Sequence, residues 1–416
     1  MSVVGQCIVR VMMPIFGFVI ANAANAEEPR VKISETAREI HAKSIVIDGH
    51  NDLPWKIRTK SNSEFKILDI AKTQPKLHTD LPRLKAGGVG AQFWSVWVPV
   101  SLGYKGTALL TTIEQIELVK KMVTVYPDQL EMAKTVADIR RIYGEGKIAS
   151  LIGVEGGHCI ENSISNLNHL FDLGARYMTV THNDSLDWAD SATDTSKSNG
   201  LSPFGKEVIL RMNRLGMMVD ISHVSAKTMH DVLDTSQAPV IFSHSSARAV
   251  ANSPRNVPDD VLKRIPEHDG VVMVNYFSAF VVPKAAEVYQ AGLDYKRDLQ
   301  KEHDSAKVNQ LYNRWKSEHP MPAGDIADVL DHIDHLTKVA GWRHVGIGSD
   351  YDGVGMVPIG LDDVSTYPRI TQGLLDRGYT EEQIQGILGE NLLRVMEKVE
   401  QTAQSLGYQV DHPSSP

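Results

Sequence analysis

The chain has 416 residues, of which 42% are hydrophobic and 23% are charged, and its formal net charge is −8. This composition is typical of a globular protein, and the length suits either one large barrel or several smaller domains. Because the charge is negative and the sequence contains no basic runs, it does not indicate binding to nucleic acid or to anionic lipid.

Residues 1–26 have the pattern of a secretory signal peptide. Arg10 precedes an apolar stretch, and the small residues of ANAANA end at Ala26 in an A-x-A cleavage pattern. The apolar stretch is shorter than the roughly 20 residues that a membrane-spanning helix needs. We therefore expect export to the periplasm or outside the cell. The mature chain, 27–416, keeps Cys159 as its single cysteine, so no internal disulfide is expected.

Eight strand-like runs follow one another along the mature chain. Most are nearly continuous, rich in β-branched or aromatic residues and closed by Gly, Ser, Asn or Asp, as strands covered on both faces are. Helical segments separate them. One of these offers Ser202 as N-cap, Pro203 in its first turn and Gly216 as a C-terminal stop. The runs are SIVIDGHND, VGAQFWSVWV, KIASLIGVEGG, ARYMTVTHND, GMMVDISHVS, APVIFSHSSA, GVVMVNYF and HVGIGSDYDG.

The alternation of strand and helix predicts an α/β fold with a parallel sheet, and eight such units predict a (β/α)8 TIM barrel. An open doubly wound sheet is the alternative, but no G-x-G-x-x-G turn follows the first strand. A charged segment around 284–322 interrupts the rhythm between the seventh and eighth strands. We expect a single barrel domain over 27–416, with this segment as a helical insertion beside the barrel mouth.

Acids and imidazoles stand at the ends of these strands, which is where barrels of this type carry their function. His50 and Asp52 are two positions apart after the first strand, so their side chains point to the same side. Glu155 ends the third strand, before two glycines that leave room for a ligand. His223 and His244 end consecutive strands in the matching contexts VDISHVS and VIFSHSS. Taken alone, each histidine is more often satisfied by hydrogen bonds, Asp52 is more often a capping acid, and Glu155 is as often part of an ion pair at a loop, but five such residues at one end of a sheet indicate a metal site.

Imidazole and carboxylate ligands without paired thiolates suit zinc or a similar divalent ion in a catalytic site. Five ligands exceed what one tetrahedral catalytic zinc takes from a protein, so we predict two ions. His50 and Asp52 would hold one ion. His223 and His244 would hold the other, with Glu155 as the bridge. Two metals roughly 3.5–4 Å apart can hold a hydroxide and polarise a carbonyl oxygen.

Three further candidates are interpreted as structural. His332 and His335 have metal-like spacing on a helix, but that helix should lie outside the barrel, so we expect both to be solvated. Cys159 lies close to Glu155 in sequence, and a single cysteine is more often a small buried residue than a ligand.

A set of ordered motifs resembles the membrane (renal) dipeptidase family of zinc peptidases, which belongs to the amidohydrolase-type metal-dependent barrels. The resemblance runs from about Ala42 to Glu400. It implies a zinc-dependent enzyme with two zinc ions per chain, shared among the ligands as above, that hydrolyses dipeptides, often including those with a C-terminal D-residue. It also implies a homodimer. The motifs are VIDGHNDLPW, GVEGGH, YMTVTHND, VDISHVS, SHSSARAV, RNVPDD, VVMVNYF and GIGSDYDGV.

The resemblance also assigns roles to residues that bind no metal. His182, at the end of the fourth strand, would contact the substrate carbonyl and stabilise the oxyanion. Arg255 would bind the substrate carboxylate, for which a forked guanidinium is well suited. Asp350 matches the acid/base that transfers a proton when a metal-bridging hydroxide attacks the amide. Its neighbour Asp352 is expected to shape the following turn.

Two alternatives stay open from the sequence. One is another binuclear barrel hydrolase, such as a lactonase or a β-lactam-hydrolysing enzyme, although Arg255 has no obvious use without a substrate carboxylate. The other is a non-catalytic exported binding protein, although the acid at Asp350 is present. Animal members of the family carry a lipid-anchor signal and paired cysteines, which this sequence lacks, so we expect no membrane anchor.

Overall fold

The computed structural model describes residues 32–407, so the predicted signal peptide at 1–26 lies outside the described residues. Within 32–407, no helix combines the length and the apolar character needed to cross a bilayer.

Nine parallel strands form the central sheet of the described residues, and eight of them close into a barrel. Closure follows because β2 pairs with both β1 and β4, while β9 pairs with both β8 and β1. The strands are β1 (Val46–Asn51), β2 (Val89–Ser95), β3 (Leu130–Met132), β4 (Ile148–Glu155), β5 (Ala175–Thr179), β6 (Met218–Asp220), β7 (Val240–Phe242), β8 (Val271–Val274) and β9 (Val345–Ile347). The (β/α)8 prediction is confirmed. The additional strand, β3, was not predicted and pairs with the first half of β4.

Helices surround the barrel and connect its strands. The segment after Ser202 is helical as predicted: the Ser202 hydroxyl accepts from the backbone N–H of Gly205, and Gly216 ends the helix at φ 75°. The α-helices are α1 (Glu35–Lys43), α2 (Leu53–Ser61), α3 (Leu81–Ala86), α4 (Ala108–Val125), α5 (Val136–Gly144), α6 (Ile164–Asp172), α7 (Pro203–Leu215), α8 (Ala226–Thr235), α9 (Asp259–Leu262), α10 (Ser278–Val281), α11 (Pro283–Glu302), α12 (Ser305–Glu318), α13 (Ile326–Ala340), α14 (Tyr367–Asp376), α15 (Glu381–Gln385) and α16 (Asn391–Ser405). Short 3-10 helices span Val100–Lys105, Gly157–Ile160, Pro266–His268, Trp342–His344 and Val364–Thr366, and a π-helical turn spans Gly386–Glu390.

Successive residues of the strands belong alternately to two apolar clusters. Leu151 and Tyr177 belong to the cluster that fills the barrel, together with side chains of α16. Ile152 and Met178, their neighbours in the chain, belong to the larger cluster between the strands and the surrounding helices. Because nearly all residues of the eight barrel strands are buried, these strands read as almost continuous apolar runs, and the few polar residues within them, such as Gln92 and Ser150, are buried as well.

Helices α11 and α12 lie between β8 and β9, in the segment where the sequence predicts an insertion. They pack on each other where Gly292 faces the ring of Trp315, since a methyl group at Gly292 would approach that ring to 2.7 Å. Phe277, Phe280 and Tyr289 form edge-to-face ring contacts with centroids 5.0 to 6.1 Å apart. These contacts join the start of α11 to the barrel mouth.

Candidate metal-dependent active site

His50 is fully buried at the end of β1, and its hydrogen bonds fix its tautomer. Its Nδ1 lies 2.9 Å from the Tyr177 hydroxyl, which itself donates to the carbonyl of Gly49 at 3.1 Å. The hydroxyl therefore accepts from Nδ1–H, and Nε2 carries a lone pair. Nε2 has no hydrogen-bond partner and lies 3.3 Å from Asp52 Oδ2 and 3.4 Å from Glu155 Oε2. Burial lowers the pKa of His50, but the negative charges of Glu155 and Asp52 outweigh burial and raise it well above its ordinary value, so Nε2 is placed to bind a cation, either a proton or a metal ion.

A second arrangement of the same kind involves His223 and His244, whose Nε2 atoms lie 2.8 Å apart. His244 Nδ1 lies 2.7 Å from the hydroxyl of Ser243, which donates to Asp220 at 2.6 Å and so accepts from His244. His223 Nδ1 donates to Asn183 Oδ1 at 3.1 Å. Both Nε2 atoms therefore direct lone pairs at each other, and burial lowers the pKa of both imidazoles well below the ordinary value. This pair too is arranged for a cation.

Glu155 lies between the two arrangements and gives one oxygen to each. Its Oε2 faces His50, whereas its Oε1 lies 3.1 Å from His223 Nε2 and 3.6 Å from both His182 Nε2 and His244 Nε2. Burial alone would raise the pKa of Glu155, but the surrounding imidazoles hold it well below its usual value. The carboxylate is thus ionised and divided between two groups of ligand atoms.

The donor set fits a metal centre. Nitrogen and oxygen ligands converge without thiolates, which suits zinc or a related divalent ion, and the Nε2 atoms of the three histidines face one another or the carboxylates of Asp52 and Glu155. Three sets of ligand atoms each lie within 4.8 Å of one another: His50, Glu155 and His244; Glu155, His182 and His223; and His50, Asp52 and Asp350. All five predicted ligands are therefore close together, and His182 and Asp350 lie among them.

Asp350 follows β9 in a conformation that carries strain for a residue with a side chain, at φ 65°. Its backbone N–H donates to the carbonyl of His50 at 3.1 Å, and its Oδ2 accepts from Asn275 at 2.8 Å, which leaves Oδ1 unbound. Burial, supported by the charge of Asp52, raises the pKa of Asp350 to about 7, although His50 opposes the shift. His223 has a similar backbone, at φ 68°. Strained backbone at both strand ends is typical of a functional site.

Asp352 and the remaining candidates have structural partners. Asp352 accepts from the backbone N–H of His78 at 3.0 Å, and its own backbone N–H donates to His78 Nδ1 at 3.0 Å. It thereby ties the end of β9 to a neighbouring loop. Cys159 is buried, with its sulfur 3.8 Å from His158 Nε2.

The expectation that His332 is solvated is wrong. The residue is fully buried, its Nδ1 accepts from the backbone N–H of Ala247 at 2.9 Å, and its Nε2 donates to the carbonyl of Val281 at 3.0 Å. The face of α13 that carries it packs against the loop after β7 and against α10, so the helix buries a wider stripe than its apolar residues indicate. His335 is partly exposed and lies 2.8 Å from Asp259.

A cavity of about 410 Å³ opens onto the metal-ligand cluster and is called the inner cavity below. Glu155, His182 and Asp350 line it, and Trp55 and Trp97 contribute aromatic walls. Burial lowers the pKa of His182 to about 4, so its imidazole is neutral and can donate a hydrogen bond into the cavity.

Arg255 is a buried guanidinium without a counter-ion. It is 2% exposed and lies over the ring of Phe280 at 5.2 Å. Its two terminal nitrogens donate to the hydroxyl of Ser245 at 3.4 Å and to the carbonyl of His244 at 3.3 Å, while Nε has no partner. No described carboxylate lies within 4.0 Å of it. Burial lowers its pKa to about 10, which leaves it charged. Because an unpaired buried charge costs several kcal/mol, this site favours an anionic ligand.

The groups that orient the ligands were not found from the sequence. They lie within apolar runs or far from the histidines along the chain, and the one available signal is an acid inside each of the apolar runs VIDGH and VDISH, namely Asp48 and Asp220. These groups are Tyr177, Asn183, Asp220, Ser243 and Asn275.

The protein is a closed parallel barrel with imidazoles and carboxylates at its strand ends, next to a buried arginine that has no anionic partner. These features are typical of a metal-dependent barrel hydrolase. The model of one such family, the membrane dipeptidases (peptidase family M19), matches residues 34–409, and the chain belongs to that family. The resemblance read from the motifs is thereby confirmed, and the protein is a metallo-dipeptidase.

Solved structures share this fold. One described as the probable dipeptidase PvdM from Pseudomonas aeruginosa is 25% identical, with a TM-score of 0.79 over 88% of this chain and 98% of that one. A metallo peptidase from Rhodobacter sphaeroides, liganded with a phosphinate mimic of the dipeptide L-Ala-D-Ala, is 24% identical, with a TM-score of 0.70 over 86% and 99%. An amidohydrolase from Pseudomonas aeruginosa is 25% identical, with a TM-score of 0.67 over 87% and 98%.

Proposed function

We propose that this dipeptidase uses two zinc ions and cleaves the amide bond of dipeptides, including those that end in a D-residue. The observation that carries this proposal is Arg255, a buried cation beside the metal-ligand cluster whose only missing partner is an anion. A free C-terminal carboxylate meets that requirement. The phosphinate mimic bound by the Rhodobacter sphaeroides structure has the chemistry of such a substrate.

The ligand roles follow from the hydrogen bonds described above. His50 and Asp52 would hold one ion, His223 and His244 would hold the other, and Glu155 would give one oxygen to each. When bound, the ions would supply Lewis acidity that polarises the substrate carbonyl and makes water a stronger nucleophile at neutral pH.

Three side chains would act on the substrate directly. Arg255 binds its carboxylate, which restricts the enzyme to short peptides. His182 donates a hydrogen bond to the carbonyl oxygen as negative charge develops on it. Asp350 accepts the proton of the attacking water at Oδ1, the oxygen that Asn275 leaves free, and delivers it to the nitrogen of the departing amine.

The test is direct. The purified chain without residues 1–26 should contain two zinc ions per chain by mass spectrometry and release amino acids from L-Ala-L-Ala or L-Ala-D-Ala. Arg255→Met should raise KM for these substrates about 100-fold, because a buried charge pair is lost. Amidation of the substrate carboxylate should abolish the difference between the two enzymes. A chain that binds no zinc and cleaves neither dipeptide would refute the proposal, whereas equal KM values for both enzymes would reject the carboxylate role alone.

We also propose that the protein is exported to the periplasm or outside the cell and that it forms a homodimer. Export rests on the pattern of residues 1–26 and the dimer on the family resemblance. Fractionation of cells that express the full chain tests the first, and the mass of the purified protein by light scattering tests the second.

A further inference from the structure

A second and larger cavity, of about 860 Å³, adjoins the inner cavity and is called the outer cavity below. Asn183, Phe280 and Tyr289 line both cavities, so the two are adjacent at these side chains. Arg255 lines the outer cavity and does not line the inner one. Helix α11 forms one wall of the outer cavity through Lys296 and its neighbours.

This arrangement determines where each part of a dipeptide lies, provided that the function proposed above is correct. The scissile bond must lie in the inner cavity, where Glu155, His182 and Asp350 meet. The substrate carboxylate lies on Arg255, at the junction of the two cavities. The α-carbon that bears this carboxylate also bears the side chain of the C-terminal residue. Because the scissile amide and the N-terminal residue occupy the inner cavity, that side chain extends into the outer cavity.

The outer cavity is far larger than an alanine methyl group needs, and its cations have few partners. Lys296 makes no ion pair among the described residues, and its ammonium lies 5.6 Å from the centroid of the Tyr312 ring. Arg248 also makes no ion pair there. Its guanidinium donates to the backbone carbonyls of Asn256 at 3.0 Å and Pro254 at 2.8 Å. Both cations are therefore available to an anionic group of a ligand.

Two acidic groups also line the outer cavity. Asp194 accepts from the backbone N–H of Ser185 at 2.9 Å, and burial together with the nearby Asp194 raises the pKa of Asp184. Arg297 pairs with Asp294 at 3.0 Å. Since Arg297 is paired and Arg255 meets the substrate carboxylate, two unpaired cations, Lys296 and Arg248, share the lining with the two carboxylates Asp184 and Asp194.

We propose that the outer cavity is the subsite for the C-terminal side chain of the substrate, and that it selects an acidic side chain long enough to reach Lys296 and Arg248. The preferred substrates are then dipeptides with a C-terminal glutamate rather than a C-terminal alanine or lysine. Specificity arises here because glutamate forms a charge-assisted hydrogen bond, whereas glutamine of the same size forms a neutral one.

The experiment compares kcat/KM for Ala-Ala, Ala-Glu, Ala-Gln and Ala-Lys, with the C-terminal residue in both configurations. We expect Ala-Glu to exceed Ala-Gln by about tenfold in the configuration that the enzyme accepts, as one charge-assisted contact provides. Lys296→Gln should reduce this ratio, because Arg248 alone then remains, and Lys296→Glu should invert the order of Ala-Glu and Ala-Lys.

Lys316→Gln is the matched control. Lys316 also belongs to the inserted helices, and its ammonium lies 5.0 Å from the centroid of the same Tyr312 ring, but it does not line the outer cavity. This variant should keep the full preference for Ala-Glu. Hydrolysis of Ala-Ala without any preference for Ala-Glu over Ala-Gln would overturn the subsite and leave the dipeptidase intact. A preference for Ala-Lys would overturn it as well, because the two carboxylates of the lining would then dominate. Failure to hydrolyse all four substrates would overturn the proposed function itself.

Discussion

The hydrogen bonds behind His244 predict that Ser243 controls the affinity of the metal centre. The Ser243 hydroxyl lies 2.7 Å from His244 Nδ1 and donates to Asp220 Oδ2 at 2.6 Å. Ser243→Ala removes both bonds. Asp220 keeps three others, from the Thr179 hydroxyl and from the backbone N–H groups of Ser222 and Ser243. The substitution therefore affects mainly the imidazole of His244, which loses the acceptor of its Nδ1–H.

Without this acceptor, the imidazole of His244 has two states available, and both are unfavourable. It can keep the proton on Nδ1 as a buried unsatisfied donor, at about 1–3 kcal/mol, or it can move the proton to Nε2 and cease to be a ligand. Either choice should weaken zinc binding about 10- to 100-fold, the range typical for loss of a partner behind a ligating histidine.

Zinc affinity is measured by competition with a chelator at fixed pH, and thermal unfolding of the metal-free protein separates affinity from folding. Ser246→Ala is the control, because its buried hydroxyl has no hydrogen-bond partner and lies on the same segment. If Ser243→Ala and Ser246→Ala bind zinc equally well, the orienting role assigned to Ser243 is wrong.

Three further predictions follow from buried groups. Tyr177→Phe removes the acceptor of His50 Nδ1 and should weaken zinc binding about tenfold in the same chelator assay. Asp350→Asn should keep its zinc but lose about 10²- to 10⁴-fold in kcat, because the amide cannot carry the proton; a kcat within a few-fold of wild type would contradict this. Burial lowers the pKa of His332 from 6.5 to about 4, so between these values the unfolded chain binds the proton and the folded protein does not. As pH falls through this window, urea titration should show the wild type losing about 3 kcal/mol more stability than His332→Gln, and equal losses would contradict it.

The barrel was predictable because strands covered on both faces leave a strong signal, and all eight barrel strands fall within the apolar runs. Strand β3 left no such signal, since only its first residue, Leu130, is buried. The position of His332 was misjudged for a related reason. A helix that packs under loops as well as strands buries polar side chains next to its apolar stripe, and the sequence does not reveal which loops lie there.

The metal ligands were predictable because parallel strands in a closed barrel all end at the same mouth. Their orienting partners were not, since they depend on contacts across the barrel. Tyr177 reaches His50 over 127 positions of the chain. The outer cavity depends on where α11 lies, and the periodicity of a helix contains no information about its placement.

Asp48 and Asp220, the acids inside the first and fifth apolar runs, have one function in common. Asp48 accepts from the backbone N–H of His50 at 3.2 Å on its own strand and from that of Ser349 at 2.8 Å on β9's continuation. Asp220 does the same on the other side of the barrel, accepting from Ser222 at 3.0 Å and from Ser243 at 2.8 Å. Each acid joins the end of its own strand to the end of a neighbouring strand in the barrel.

Each joined pair of strand ends carries one half of the site. Asp48 holds together the ends that bear His50 and Asp350, and Asp220 holds together those that bear His223 and His244. Two of these four residues, His223 and Asp350, have the strained backbone noted above. Such strain persists only where surrounding bonds over-determine the conformation, which the two buried carboxylates achieve. The geometry of the metal centre is therefore set by acids that bind no metal, one for each half.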